Sequence, residues 1–319
     1  MVRRKATRKN KSEIKQRKNK TRKQKKKNKT NHSHTKKNDF KILNCAPSNE
    51  RSVKQSCYSD ASLLKIRDLW NARHPDKEIT SSKPKTVWNK LKSYMGSCCE
   101  NEAEWLKHNF MKHNLDDEIV NYTFAPASPE DWKSDPYEWL SSLDIQNVMK
   151  QYEKVYPSYR FIGPSPIDYD THIMYDECVW EDLCEFDLNK HRKEGKKNIG
   201  VIFNLDPHYE EGSHWVALMI DTEGNMIYYF DSYGEPAEPQ IMKFMKEVVS
   251  QMNANGKSGK IVENKKRFQY SDGECGIYCI YFILEMLKNK KFKSFKDLKM
   301  SDRKMKCLRR KYFNYELSK

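Results

Sequence analysis

Hydrophobic positions recur at helical spacing in the first half of the chain and cluster into short apolar runs in the second. Leu63, Leu64, Ile66, Leu69 and Trp70 make one face of a helix expected over Cys57–Pro75, with Pro75 at its end. Val87, Trp88, Leu91 and Tyr94 predict a second helix over Thr86–Met95, and Trp105, Leu106 and Phe110 a third over Glu102–Lys112. From Ala125 to Pro166 the texture turns to proline and tryptophan, interrupted by the amphipathic stretch Ile145–Tyr152. Gly163-Pro164-Ser165-Pro166 reads as a loop.

Beyond it the period changes. Asn198–Leu205 is an apolar run suited to a buried strand. His214–Asp221 and Met226–Phe230, joined by Thr222-Glu223-Gly224-Asn225, predict a hairpin. A helix is expected over Gln240–Met252, a strand near Lys260–Tyr270, and a strongly apolar helix over Cys275–Leu287. Strands flanked by helices place the chain in the α+β class. The expected organisation is a tail over residues 1–42, a helical accessory region over 43–125, and a catalytic domain over 126–319.

Charge refines this picture by its location. The net charge of +16 lies entirely in residues 1–40, where 18 Lys/Arg face two acids, Glu13 and Asp39. The remaining residues carry 42 basic and 42 acidic groups. The tail is too polar to offset the entropy of ordering it, so it is expected to be disordered and to touch polyanions. This makes nucleic acid an expected contact of the tail alone; the same basic run also fits a nuclear-localisation signal. No stretch of the length and apolarity of a membrane span is present, so no membrane partner is expected. The spacing of the nine cysteines (Cys45, Cys57, Cys98, Cys99, Cys178, Cys184, Cys275, Cys279, Cys307) shows no disulfide framework and no C-x-x-C scaffold for zinc. A reducing, intracellular setting is therefore expected.

The chemistry concentrates around one cysteine. Cys275 sits at the start of a buried helix, after the polar turn Ser271-Asp272-Gly273-Glu274, where unpaired N–H groups favour a thiolate. Gly276 is expected to let the backbone approach a substrate. His214 opens one strand of the hairpin and Asp231 follows the other, so the hairpin sets a base beside an orienting carboxylate. Gln269, six residues before Cys275, can offer an amide to a developing oxyanion. Cys279, one turn on, reads as a core thiol.

His214-Trp215, then Asp231, then Gln269-x5-Cys275-Gly276-Ile277-Tyr278 resembles the ubiquitin-like-protein (SUMO) protease family and its adenovirus-type relatives. More loosely, the basic tail and the helical region resemble thiol proteases of large cytoplasmic DNA viruses, of the African swine fever virus polyprotein-processing type. The resemblance implies a papain-like core, a mixed or antiparallel sheet flanked by helices. It makes His214 the base, Asp231 its orienter, Gln269 the oxyanion donor and Cys275 the nucleophile, with Trp215 packed over a substrate ending in Gly-Gly. Glu274 departs from the aspartate usual in the cellular enzymes. The expected activity is a thiol endopeptidase maturing viral structural precursors, in the virion or the host cytoplasm, without metal or organic cofactor. Removal of SUMO or ubiquitin from host proteins is the alternative within this class. Acetyl transfer, or a virion role limited to nucleic-acid binding, are alternatives of other classes.

Overall fold

A computed structural model describes residues 44–48, 56–96, 99, 101–112, 114–254, 256, 258–288 and 294–315. The expectation of a disordered basic tail over 1–42 lies outside these residues, as does Cys98. The chain from Lys41 to Lys319 forms one compact unit.

Its centre is a five-stranded sheet in the order β1 (Tyr159–Pro166), β2 (Asn198–Asn204), β3 (Trp215–Asp221), β4 (Met226–Phe230) and β5 (Lys260–Glu263). The inner three strands run antiparallel, while β1 joins β2 and β5 joins β4 in parallel. Strands β2 and β3 are apolar almost throughout because both faces are covered. On one face Ile202, Ala217, Met219 and Phe230 pack against α3 (Ser142–Val155), α5 (Cys275–Lys288) and α6 (Asp302–Tyr312). On the other, Val201, Phe203, Leu218 and Tyr229 meet α4 (Pro239–Ala254).

The structure corrects the loop expected at Gly163–Pro166, which is the end of β1. Proline cannot donate to a ladder, but β1 is an edge strand. Its register slips by one residue between Ile162 and Ser165, so Pro164 sits in a bulge where no ladder bond is required. The strand expected over Lys260–Tyr270 is confined to β5. After Glu263 the side chain of Asn264 donates to the carbonyls of Asp231 and Lys266, both at 2.9 Å, and the chain leaves the ladder.

Before the sheet, α1 (Asp60–Arg73) packs against α2 (Pro84–Met95). Ser59 caps α1 by accepting from the Ser62 N–H. The single helix expected over Glu102–Lys112 is instead a 3-10 segment, Glu102–Lys107, and a short turn, Asn109–Lys112, divided by extended His108. Buried Glu102 explains the break, because its carboxylate accepts from the Cys57 N–H and the Trp88 indole and so holds that stretch inward.

This helical region is tied to the sheet region by polar side chains. Gln151 on α3 donates to the carbonyls of Asn121 and Phe124, both at 2.8 Å. Asn314, just past α6, donates to Asn44 O and Ala125 O, both at 3.0 Å.

Two disulfides, Cys45–Cys57 and Cys178–Cys184, correct the expectation that no cysteines pair. Folding brings their Cα atoms to 5.1 and 6.3 Å, within bonding reach, whereas sequence spacing alone does not define partners. Cysteine spacing therefore no longer supports a reducing compartment. Among the described residues Cys99, Cys275, Cys279 and Cys307 stand outside these disulfides, and no helix is long and apolar enough to cross a membrane.

Candidate active site

The ladder between β3 and β4 closes at Ala217 opposite Phe230. His214 stands three residues beyond that pair on one strand and Asp231 one residue beyond it on the other, so their side chains meet across the open end of the hairpin. His214 Nε2 donates to Asp231 Oδ1 at 2.6 Å. The remaining ring nitrogen, Nδ1, is left for Cys275, whose thiol is near enough to influence the ring.

Burial alone would depress the imidazolium. The Asp231 bond and the Cys275 contact outweigh it and raise the His214 pKa to about 9. The ring is therefore held protonated at neutral pH.

Asp231 is itself anchored. Its Oδ1 accepts from the Tyr233 N–H at 3.1 Å, and its Oδ2 from the Glu235 N–H at 3.0 Å. Its backbone N–H donates to Asn264 Oδ1 at 2.9 Å. The Tyr233 ring stacks on His214 with centroids 4.7 Å apart, and the Arg267 guanidinium lies over the other aromatic neighbour, Tyr270, as well as over Tyr233.

Cys275 is buried at the first position of α5, a 14-residue helix whose N-terminal dipole favours negative charge there. The turn before it is built from outside the helix. Gly273 has φ +84°, and a Cβ placed on it would lie 2.4 Å from Tyr137 O, so only glycine fits. Arg309 on α6 donates to Gly273 O at 2.6 Å, to Glu138 O at 2.7 Å and to Glu274 Oε2 at 2.8 Å. Glu274 and Arg309 are both essentially inaccessible to water.

Gly276 does not face a substrate, which corrects the expectation from sequence. A Cβ there would meet the Leu140 side chain at 3.1 Å, inside the core. Cys279 is a core thiol whose Sγ donates to Trp215 O at 3.2 Å, and burial pushes its pKa well up.

Gln269 is buried beside Ser232. The Ser232 hydroxyl donates to Gln269 Oε1 at 2.7 Å, which turns the amide nitrogen outward, and one of its hydrogens goes to Ser271 O at 2.7 Å. Trp215 is buried and donates through Nε1 to Leu140 O at 3.0 Å. Together with Trp139, Trp180 and Gly212 it lines a cleft of about 890 Å³ that begins at the residues flanking His214.

The structure thus brings His214, Asp231 and Cys275 together, with Gln269 held by Ser232 and Trp215 in the wall of the adjoining cleft. Ser232, Tyr233, Asn264 and Arg309 were not anticipated. Asp231-Ser232-Tyr233-Gly234 carries a turn signal that marks the first two; nothing local marks Asn264 or Arg309.

Comparison with known proteins agrees with this arrangement. Residues 187–319 match the Ulp1 protease family, C-terminal catalytic domain. A protein of Acanthamoeba polyphaga mimivirus, with a provisional thiol-protease name, is 27% identical over 296 residues, covering 86% of this chain and 94% of its own length. An African swine fever virus protein named SUMO-1 cysteine protease is 29% identical over 110 residues, covering 34% of this chain and 40% of its own. A crystal structure of an African swine fever virus protease superposes with a TM-score of 0.59 at 20% identity, covering 85% of this chain and 95% of that one, and so shares its fold.

Proposed function

We propose that Cys275 is the nucleophile of a cysteine endopeptidase cleaving after Gly-Gly-like sites, a reading supported by the match of residues 187–319 to the Ulp1 protease family and by the thiol-protease relative. The observation that carries the reading is the His214 ring bonded to Asp231 at 2.6 Å and close enough to Cys275, at the first position of a buried helix, for the two to influence each other.

In this mechanism the Cys275 thiolate attacks the carbonyl carbon before the scissile bond. The oxygen gains negative charge and accepts from the Cys275 backbone N–H and from the second hydrogen of the Gln269 amide, which in the resting site makes only a long contact of 3.5 Å to the Tyr233 hydroxyl. Collapse of the adduct breaks the C–N bond, and His214 gives its proton to the departing amine. Water then attacks the thioester, His214 takes the proton released, and the Cys275 thiolate leaves. Asp231 keeps the ring oriented throughout without changing protonation. Trp215 and its neighbours in the cleft wall favour small residues before the cut.

The substrates are viral structural precursors, and the place of action is the virion or the cytoplasm of the infected cell. The viral origin of both sequence relatives supports this assignment. The second reading, removal of SUMO, draws on the name of the African swine fever virus relative.

A Gly-Gly peptide carrying a thiol-reactive group tests the nucleophile. It is expected to label wild type at Cys275 and to leave Cys275→Ala unlabelled; labelling at any other cysteine overturns the assignment. Cleavage of Gly-Gly-X peptides and of intact SUMO conjugates, measured side by side, separates the two substrate classes.

A further inference from the structure

Between β1 and β2 the chain folds a small hairpin that the proposed mechanism does not use. Ile173 and Val179 donate backbone N–H groups to Glu177 and Thr171, and an isolated bridge sets His172 opposite Cys178. The turn is tight: Tyr175 and Asp176 both take φ of 63°. Cys184 returns to the same place from the short helix Glu181–Cys184.

Among the described residues, His172, Cys178 and Cys184 are the one group of three such side chains whose ligand atoms all lie within 4.8 Å of one another. His172 Nδ1 is bonded to Asp176 Oδ1 at 2.8 Å and lies 3.1 Å from Asp176 O. Both are acceptors, so the ring proton stays on Nδ1 and the lone pair of Nε2 faces Cys178 Sγ at 3.7 Å. A disulfide sulfur has no hydrogen to offer that lone pair.

We propose that, once the Cys178–Cys184 disulfide is reduced, His172, Cys178 and Cys184 bind one Zn²⁺, with Asp176 orienting the histidine. The dimensions fit. Tetrahedral zinc with Zn–S of about 2.3 Å and Zn–N of about 2.0 Å requires an N···S edge of about 3.6 Å, against the 3.7 Å observed. Opening the two sulfurs from bonding distance to a tetrahedral edge needs rotation about the Cα–Cβ bonds, because the Cα atoms already stand 6.3 Å apart. A carboxylate behind a metal-bound histidine is the usual outer partner of such sites. Water completes the fourth position on the exposed side.

The chemistry balances with a thiol reductant. Two reductant thiols pass two electrons and two protons to the disulfide, leaving Cys178 and Cys184 as thiols and the reductant as its own disulfide. Zinc then displaces one proton from each cysteine, and two thiolates and one neutral imidazole hold it. Disulfide and metal are alternative clasps on one loop. Val179 and Trp180, which lie between the two cysteines in sequence, line the cleft beside Trp215. Either clasp holds that part of the wall in place.

The test uses the full chain carrying Cys275→Ala, which removes the competing Cys275–His214 pair. After reduction with a phosphine, titration with Zn²⁺ is expected to show one tight equivalent. Co²⁺ in its place is expected to give a thiolate charge-transfer band and tetrahedral d–d bands. Cys178→Ser and Cys184→Ser, each made in the same background, are expected to abolish that equivalent, and Asp176→Asn to weaken it about ten- to a hundredfold. Zinc is also expected to raise the thermal midpoint of the reduced chain, and Cys178→Ser to abolish that rise. Absence of binding, or tight binding undiminished by Cys178→Ser, overturns the proposal.

Discussion

At His214 burial opposes the bond to Asp231 and the nearby Cys275, and these two win. With the folded pKa near 9 against 6.5 for a free imidazole, the shift contributes stability that is complete below pH about 6.5 and disappears as pH rises through about 9. On the proposed mechanism the same proton is the one given to the leaving amine, so the alkaline limb of kcat/KM is expected near pH 9. Asp231→Asn removes a raising influence. It is expected to shift that limb toward lower pH and to lower kcat/KM by about 10²-fold or more, as a pH–rate profile will show; an unmoved limb removes Asp231 from its role. Gln269→Leu is expected to lower kcat by about 10²–10³-fold with KM little changed, measured on a Gly-Gly-X peptide. The residue types at these positions were legible because each has a local mark: a strand end, a turn, the start of an apolar helix. Ser232 and Asn264, which hold Gln269 and Asp231 in place, act through contacts 37 and 33 residues apart in sequence, and no periodicity records such pairings.

For whole elements, hydrophobic period was a good guide where an element has one dominant face or two buried ones. Strands β2, β3 and β4 and helices α1, α2, α3, α4 and α5 follow their apolar patterns to within a few residues. It misled where a polar or cyclic residue does structural work. Gly163-Pro164 hides β1, and Glu102 breaks a helix whose spacing is otherwise regular. Helix α6 escaped notice because its sequence, Asp302–Tyr312, is dominated by charge and one of its three buried side chains is Arg309. The turn into α5 gives a prediction at this scale. Gly273→Ala would place a Cβ against Tyr137 O in a backbone region that residues with a side chain rarely adopt, costing on the order of 1–3 kcal/mol. A lower urea midpoint and slower alkylation of Cys275 by iodoacetamide are the expected readings; unchanged alkylation would mean that the turn does not set the thiol.

Across the molecule, Glu274 and Arg309 form a buried ion pair that joins α6 to the residue before Cys275, while Arg309 also binds the carbonyls of Tyr137 and Glu138. Burial raises the Glu274 pKa, and Arg309 works against that rise. Arg309→Met leaves a buried carboxylate uncompensated, with an expected loss of about 3–5 kcal/mol. Glu274→Gln combined with Arg309→Met is expected to recover part of it, and chemical denaturation of the three proteins checks the order. The whole-chain organisation was only partly open to sequence reading, because the links between helical region and sheet region run through single polar side chains such as Gln151 and Asn314. There is also a matter of timing in this architecture. Arg309 is synthesised 35 residues after Glu274. A ribosome that has already made His214, Asp231 and Cys275 has therefore not yet made the side chain that sets the turn in front of the thiol. A nascent or trimmed chain ending before α6 would carry all four proposed site residues without the side chain that sets the turn, so on the proposed mechanism it is expected to cleave little until α6 has joined it.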